Sequence, residues 1–185
     1  MSFLAFNSIN YLSFLIILIF IYYLVSSKLR WIILLVFSLV FYISAGIEKL
    51  PFITLTSLIV FLSARKINKT FIKAEENADL KELKGKDRIA FLAPVKKKCR
   101  YLYLTPTILF VIGILCYCKF GSYLFEILYN NLTEWTLKDI VVPLGISYYT
   151  FSSIGYLLDI YWRKQTPISN FFKFLLCESY FPQIV

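Results

Sequence analysis

The chain has 185 residues, 59% of them hydrophobic, where soluble domains hold about 45–50% apolar residues. Its net charge of +9 sits mostly in one stretch, and no aromatic stacking platform or recognition module accompanies it, which argues against a nucleic-acid partner. The composition predicts an all-α, polytopic helical membrane protein of about five to six transmembrane helices, with the lipid bilayer as its immediate partner.

Charged side chains are missing from Met1 to Ser27, Trp31 to Ile47, Leu50 to Ala64, Tyr101 to Cys118 and Ile140 to Leu158. A helix needs about 20 mostly apolar residues to cross a hydrocarbon layer roughly 30 Å thick. The first and last blocks satisfy that length, and the two shorter ones need snorkelling Lys and Arg or local thinning. The first span is expected over about 10–27. It is expected to be a membrane anchor instead of a cleavable leader, because Lys28 and Arg30 follow the apolar run instead of preceding it. The second is expected over about 29–45, stopped at Ala45-Gly46. The third starts at Pro51, a residue suited to a first helical turn, and is expected to end near Arg65.

Residues 1–65 thus form a unit of three spans, 66–100 a basic linker, and 101–185 a second membrane unit. From Arg65 to Arg100 twelve Lys or Arg face five acids. Lys66 to Lys84 is rich in helix formers, and Gly85 is expected to end a short helix there. The excess of cations places this loop, with Lys28/Arg30 and Arg163/Lys164, in the cytoplasm. The Glu48/Lys49 turn and the Lys119–Lys138 loop then lie outside, as does the N-terminus. This is a multi-pass cell-membrane topology.

The fourth span is expected over about 101–120, followed by an outer loop holding Asn130, Asn131 and Thr133. The fifth starts at Leu137 or Pro143 and ends at Trp162. The sixth is expected to begin near Ser169-Asn170, residues suited to a cap, and to be cut by the end of the sequence after Pro182. Aromatic residues near span ends, among them Tyr22, Trp31, Tyr101 and Trp162, suit the headgroup interface. The four cysteines show no metal or redox spacing and read as small buried apolar residues.

On the fifth span, at about 100° per residue, Gly145, Tyr148, Ser152, Gly155 and Asp159 share one face. Two readings stay open: close helix packing at the small residues, or the wall of a substrate tunnel. Asp159 is expected to pair with Arg163 one turn on, against a functional role for an acid at membrane depth. Glu178 poses the same question. Ser147, Thr150 and Ser153 are expected to bond carbonyls within their own helix. No metal site is expected. Without a histidine the chain offers no Ser/His/Asp or Cys/His system, so no catalytic residue is assigned.

The run Pro143-Leu-Gly-Ile-Ser-Tyr-Tyr-Thr-Phe151, continuing through Tyr156 to Asp159-Ile-Tyr161, and the terminal Tyr180-Phe-Pro-Gln-Ile-Val185 resemble a signature of the membrane-bound O-acyltransferase (MBOAT) family. The branch they resemble comprises bacterial alginate O-acetylation and teichoic-acid D-alanylation proteins. Ser152 departs from the Gln usual there. The resemblance implies acyl transfer, with an acetyl group the expected cargo, to hydroxyls of a cell-surface or secreted polysaccharide. It implies an acyl donor, acetyl-CoA or an acyl-carrier thioester, and an acyl-carrier or polysaccharide-modification protein as partner. It places the family's catalytic histidine downstream of Val185. The expectation is therefore an incomplete MBOAT fold, an N-terminal portion inactive by itself. The alternative is a non-enzymatic membrane scaffold or partner subunit; a small transporter is less favoured, since no broken-helix pair marks a site.

Overall fold

The structure, a computed structural model, describes residues 9–77, 86–129, 143 and 145–184. Every element among them is helical: α1 (Ile9–Leu24), α2 (Arg30–Ser44), a 3-10 turn (Ile47–Lys49), α3 (Leu50–Asn77), α4 (Lys86–Cys99), a π turn (Arg100–Leu104), α5 (Thr105–Tyr129), α6 (Ile146–Tyr161), α7 (Phe171–Ser179) and α8 (Phe181–Ile184). The outer-loop residues Asn130, Asn131 and Thr133, the alternative start at Leu137, and Gly85 lie outside the described residues.

α2 stops where it was expected to. Gly46 sits at φ 131°, a conformation that side-chain-bearing residues rarely adopt, and the chain turns there toward α3. Pro51 occupies the first turn of α3, where its missing N–H has no intrahelical partner to lose. The expected stop near Arg65 does not occur: α3 continues to Asn77. Arg65, Lys66, Lys69 and Lys73 mark a change of solvent, yet Lys and Arg are good helix formers, so the backbone passes through unbroken. At 28 residues the helix is about 42 Å long, longer than the hydrocarbon layer is thick.

The expected start at Tyr101 is likewise overrun. α4, the π turn and α5 form one helical run, with an apolar window at Leu92–Gly121. Pro106 supplies a reason for the widened turn ahead of it. It has no N–H for the Leu102 carbonyl and its ring crowds that oxygen, and an extra residue in the turn relieves both conflicts. These two runs are long and apolar enough to cross a membrane. α1 and α2, with 16 and 15 residues, reach only about 22–24 Å.

α3 is the centre of the fold. Ile53, Ser57, Val60, Ala64, Ile67 and Phe71 are buried along it, a spacing that keeps one stripe inward. That stripe packs chiefly on α6 and α7, and its lower part on α4. Val60, Phe61, Ala64, Ile67 and Phe71 of α3 share a core with Leu157 and Ile160 of α6 and Phe174 of α7. A Ser63–Thr107 hydroxyl pair 2.7 Å apart joins α3 to α5. α2 packs mainly on α7. A second core, Tyr11, Leu18, Phe41 and Phe181, joins α1, α2 and α8.

α6 ends in a Schellman motif: the Lys164 N–H donates to the Asp159 carbonyl at 2.9 Å and the Arg163 N–H to that of Ile160 at 3.0 Å. Arg163 holds the left-handed position at φ 60°, where glycine is usual. The expected Asp159–Arg163 pair is absent for this reason. The reversal carries Arg163 away from its own helix and onto α3, where Nη1 and Nη2 donate to Glu75 Oε1 and Oε2 at 2.5 and 2.8 Å. The Glu75 carboxylate raises the guanidinium above its ordinary pKa. Asp159 instead lies 3.8 Å from Lys164 Nζ. Arg163→Gly removes about 1–2 kcal/mol of left-handed strain while losing a half-exposed pair worth about 0–1 kcal/mol, so its unfolding midpoint should match or exceed the parent's. Arg163→Ala keeps the strain, loses the pair and should unfold earlier. A lower midpoint for the glycine variant than for the alanine variant would refute this account.

Candidate functional site

The N-terminus of α6 is set by a turn in which the Ile146 N–H donates to the Pro143 carbonyl at 3.3 Å. Gly145 stands at the cap with φ 67°, so this glycine answers a backbone need. Tyr148 is half-buried, and its hydroxyl donates to Gln183 Oε1 at 2.6 Å. That bond unites the two segments that carry the sequence signature, 35 residues apart. Ser152 and Asp159 are half-buried, and Gly155 is exposed, with nothing within 4 Å of a Cβ built on it. The five residues singled out from the sequence therefore follow the rim of α6.

The face of α6 that turns inward is Ile146, Tyr149, Thr150, Ser153, Leu157 and Ile160. Its upper half is polar, and it meets polar residues from three other helices. Tyr149 shares a core cluster with Tyr42 of α2 and Ile53 of α3. Ser38 lies one turn from Tyr42 on α2, and Ser57 one turn from Ile53 on α3. Glu178 of α7 completes the group at 1% exposure. Its carboxyl is within electrostatic reach of the Tyr42, Tyr148, Tyr149 and Tyr156 hydroxyls and neighbours the Ser153 hydroxyl.

Among the described residues, seven buried side-chain oxygens have no hydrogen-bond partner: Ser38 Oγ, Ser57 Oγ, Tyr149 OH, Thr150 Oγ1, Ser153 Oγ, Glu178 Oε2 and Ser179 Oγ. The expectation that Thr150 and Ser153 bond their own helix's carbonyls is thus corrected, since both hydroxyls point into the junction between helices. A buried hydroxyl without a partner costs about 1–3 kcal/mol, and native folds keep such groups few. All seven fall on α2, α3, α6 and α7, the helices that pack on one another. The junction is a polar seam inside an apolar bundle. It holds acceptors and donors but no group of three His, Cys, Asp or Glu able to hold a metal, among the described residues.

α7 is positioned for this role by its cap. Asn170 Oδ1 accepts from the Phe172 N–H at 2.9 Å, as the sequence suggested, and the Ile168 N–H donates to Tyr156 OH at 2.9 Å. The helix ends at Ser179, before Pro182, because Tyr180 turns to an extended conformation (ψ 102°). That bend brings Phe181 against α1 and α2 and Gln183 to Tyr148. Ser38, Tyr42 and Ser57 were not picked out from sequence as site residues. The spacing of Ser38 and Tyr42 on one face of an otherwise apolar helix is the signal that marks the first two.

The chain is 37% identical over 78 residues to a protein of Pseudomonas aeruginosa named "Probable alginate O-acetylase AlgI", a match covering 40% of this chain and 15% of that protein. Proteins of the same name from Azotobacter vinelandii and Pseudomonas putida are 29% identical over 99 residues and 31% over 78, covering 50% and 40% of this chain. The resemblance to the alginate O-acetylation branch is thus borne out. The matched segment spans 15–20% of the length of these three relatives. No family model and no solved structure matches the chain.

Proposed function

We propose that the chain forms the front part of a membrane-bound O-acyltransferase that moves an acyl group, acetyl in the first instance, onto hydroxyls of a cell-surface or secreted polysaccharide. The observation that carries the reading is the similarity to alginate O-acetylases. The outward apolar faces support the membrane setting: Ile16, Phe20, Leu109, Phe110 and Tyr117 are all exposed, as lipid-facing residues are. On this reading the apolar helices make five to six crossings, with the N-terminus outside and the 65–100 segment cytoplasmic.

The seam supplies one wall of the path along which an acceptor hydroxyl meets a thioester donor, acetyl-CoA or an acyl-carrier thioester. Glu178 and the hydroxyls beside it hold polar groups where hydrocarbon would expel them. The rim from Tyr148 to Asp159 faces the remainder of the path. With no histidine among its residues, the chain is assigned the wall, and the general base is assigned to a histidine supplied from elsewhere.

The test is chemical. Deleting the gene should strip O-acetyl groups from the host's envelope or secreted polysaccharide, while the 185-residue chain alone, in membrane vesicles with a thioester donor, should give no turnover above background. Unchanged O-acetyl content after deletion would overturn the reading. The missing histidine also favours a second reading, a non-enzymatic scaffold or partner subunit. In that case the chain co-purifies with another membrane protein, and substitutions at Tyr148 or Glu178 leave acetylation untouched.

A further inference from the structure

The two helices of membrane length change character at the same end. α3 is free of charge from Leu50 to Ala64 and then carries Arg65, Lys66, Lys69 and Lys73, while Lys96, Lys97, Lys98 and Arg100 directly precede the charge-free Tyr101–Cys118 stretch. α3 packs against α4 and the π turn, so the two groups of cations lie side by side. Between them runs an open groove of about 470 Å³ whose lining includes Lys73 and Thr70 of α3, Pro94, Val95 and Lys98 of α4, and Tyr103 of the π turn. Lys73 and Lys98 are exposed, and among the described residues neither has an ion pair. The Thr70 hydroxyl is already committed to the Lys66 carbonyl at 2.8 Å. Lys66 Nζ lies 6.0 Å from the centre of the Tyr103 ring.

We propose that this groove binds an anionic phospholipid, its phosphate held between Lys73 and Lys98 and its glycerol and acyl chains laid over Val95, Pro94 and Tyr103. The inference rests on the membrane reading above and goes beyond the acyl-transfer reading. Charge complementarity selects a phosphate-bearing ligand, because two ammonium groups on flexible stems suit a point-like anion. The apolar lining selects a lipid over a free anion. Tyr103 in that lining belongs to the charge-free Tyr101–Cys118 segment. A soluble phosphate has no use for such a floor, whereas cations grouped beside a membrane span attract anionic headgroups.

The experiment uses the full chain in nanodiscs of phosphatidylcholine doped with phosphatidylglycerol, read by native mass spectrometry of retained lipid. Carbonate extraction of membranes that carry the chain is run beside it. The parent should retain phosphatidylglycerol roughly five-fold or more over Lys73→Gln/Lys98→Gln, with the preference weakening at high salt. Lys73→Arg/Lys98→Arg should keep the preference, as should Lys119→Gln, which removes an exposed cation at the far end of the α5 apolar stretch. Circular dichroism confirms that each variant is folded. Equal retention by the parent and the double glutamine variant would overturn the proposal, and so would displacement of the lipid by millimolar inorganic phosphate. A chain stripped from membranes by carbonate would overturn the membrane reading itself, whereas a resistant chain without lipid preference sinks only the groove.

Discussion

Glu178→Gln should leave the unfolding midpoint unchanged or raised while lowering O-acetyl transfer in cells by ten-fold or more, equivalent to about 1.4 kcal/mol of transition-state stabilisation. The glutamine matches the glutamate in size, and its amide can donate to oxygens that now lack a partner, Ser153 Oγ and Tyr149 OH among them. It also removes a buried acidic group with an oxygen that has no hydrogen-bond partner, a costly group to bury. Glu178→Leu should be tolerated nearly as well, since an apolar side chain of similar size in place of a buried polar group without partners is often neutral or stabilising. A residue kept only for structure behaves the other way: its loss lowers stability, and activity falls in proportion to the protein remaining. The readouts are the unfolding midpoint in detergent and polysaccharide O-acetyl content normalised to protein in the membrane. Full acetylation by a stable Glu178→Gln chain would remove Glu178 from the site.

Phe181→Ala should cost about 3–5 kcal/mol, the range for deleting a fully buried aromatic ring. Phe181 has no exposed surface. Its ring centre lies 5.3 Å from that of Phe41, 5.6 Å from Phe14 and 6.4 Å from Tyr11, the last two edge-to-face, a favourable geometry. The substitution should loosen α1 as well as α8, seen as faster proteolysis near residue 24 and lower accumulation in the membrane. Phe172→Ala is the matched control: that ring is 56% exposed, and its loss should shift stability by no more than about 0.5 kcal/mol. Equal effects at the two positions would mean that the Tyr180–Gln183 segment does not dock where it is seen.

What the sequence made legible was local. Asn170 as a cap, Pro51 in a first turn and Gly46 as a stop each depend on a few neighbouring residues, and each stands in the structure. The stop at Arg65 failed because charge reports the surrounding solvent while backbone propensity decides helix continuity, and at Arg65 and Lys66 the two disagree. The Asp159–Arg163 pair failed because a left-handed residue at the helix end redirects the side chain to Glu75, 88 residues away. The seam was hidden for a related reason. Thr150 and Ser153 on α6, Ser38 on α2 and Glu178 on α7 are unremarkable on their own helices, and only the packing of four helices makes them one group. Helical periodicity found that α6 has a polar face but picked the rim, since Tyr149 and Ser153 lie about one residue's rotation from it.

The unbroken path of α3 has a mechanical consequence. One rod carries Ser57 at the seam and Glu75 at the clasp with Arg163, 18 residues and about 27 Å apart. With no hinge between them, the α6–α7 loop and the seam cannot shift independently while the clasp holds. A pull on the basic end of the rod is therefore transmitted to the polar seam.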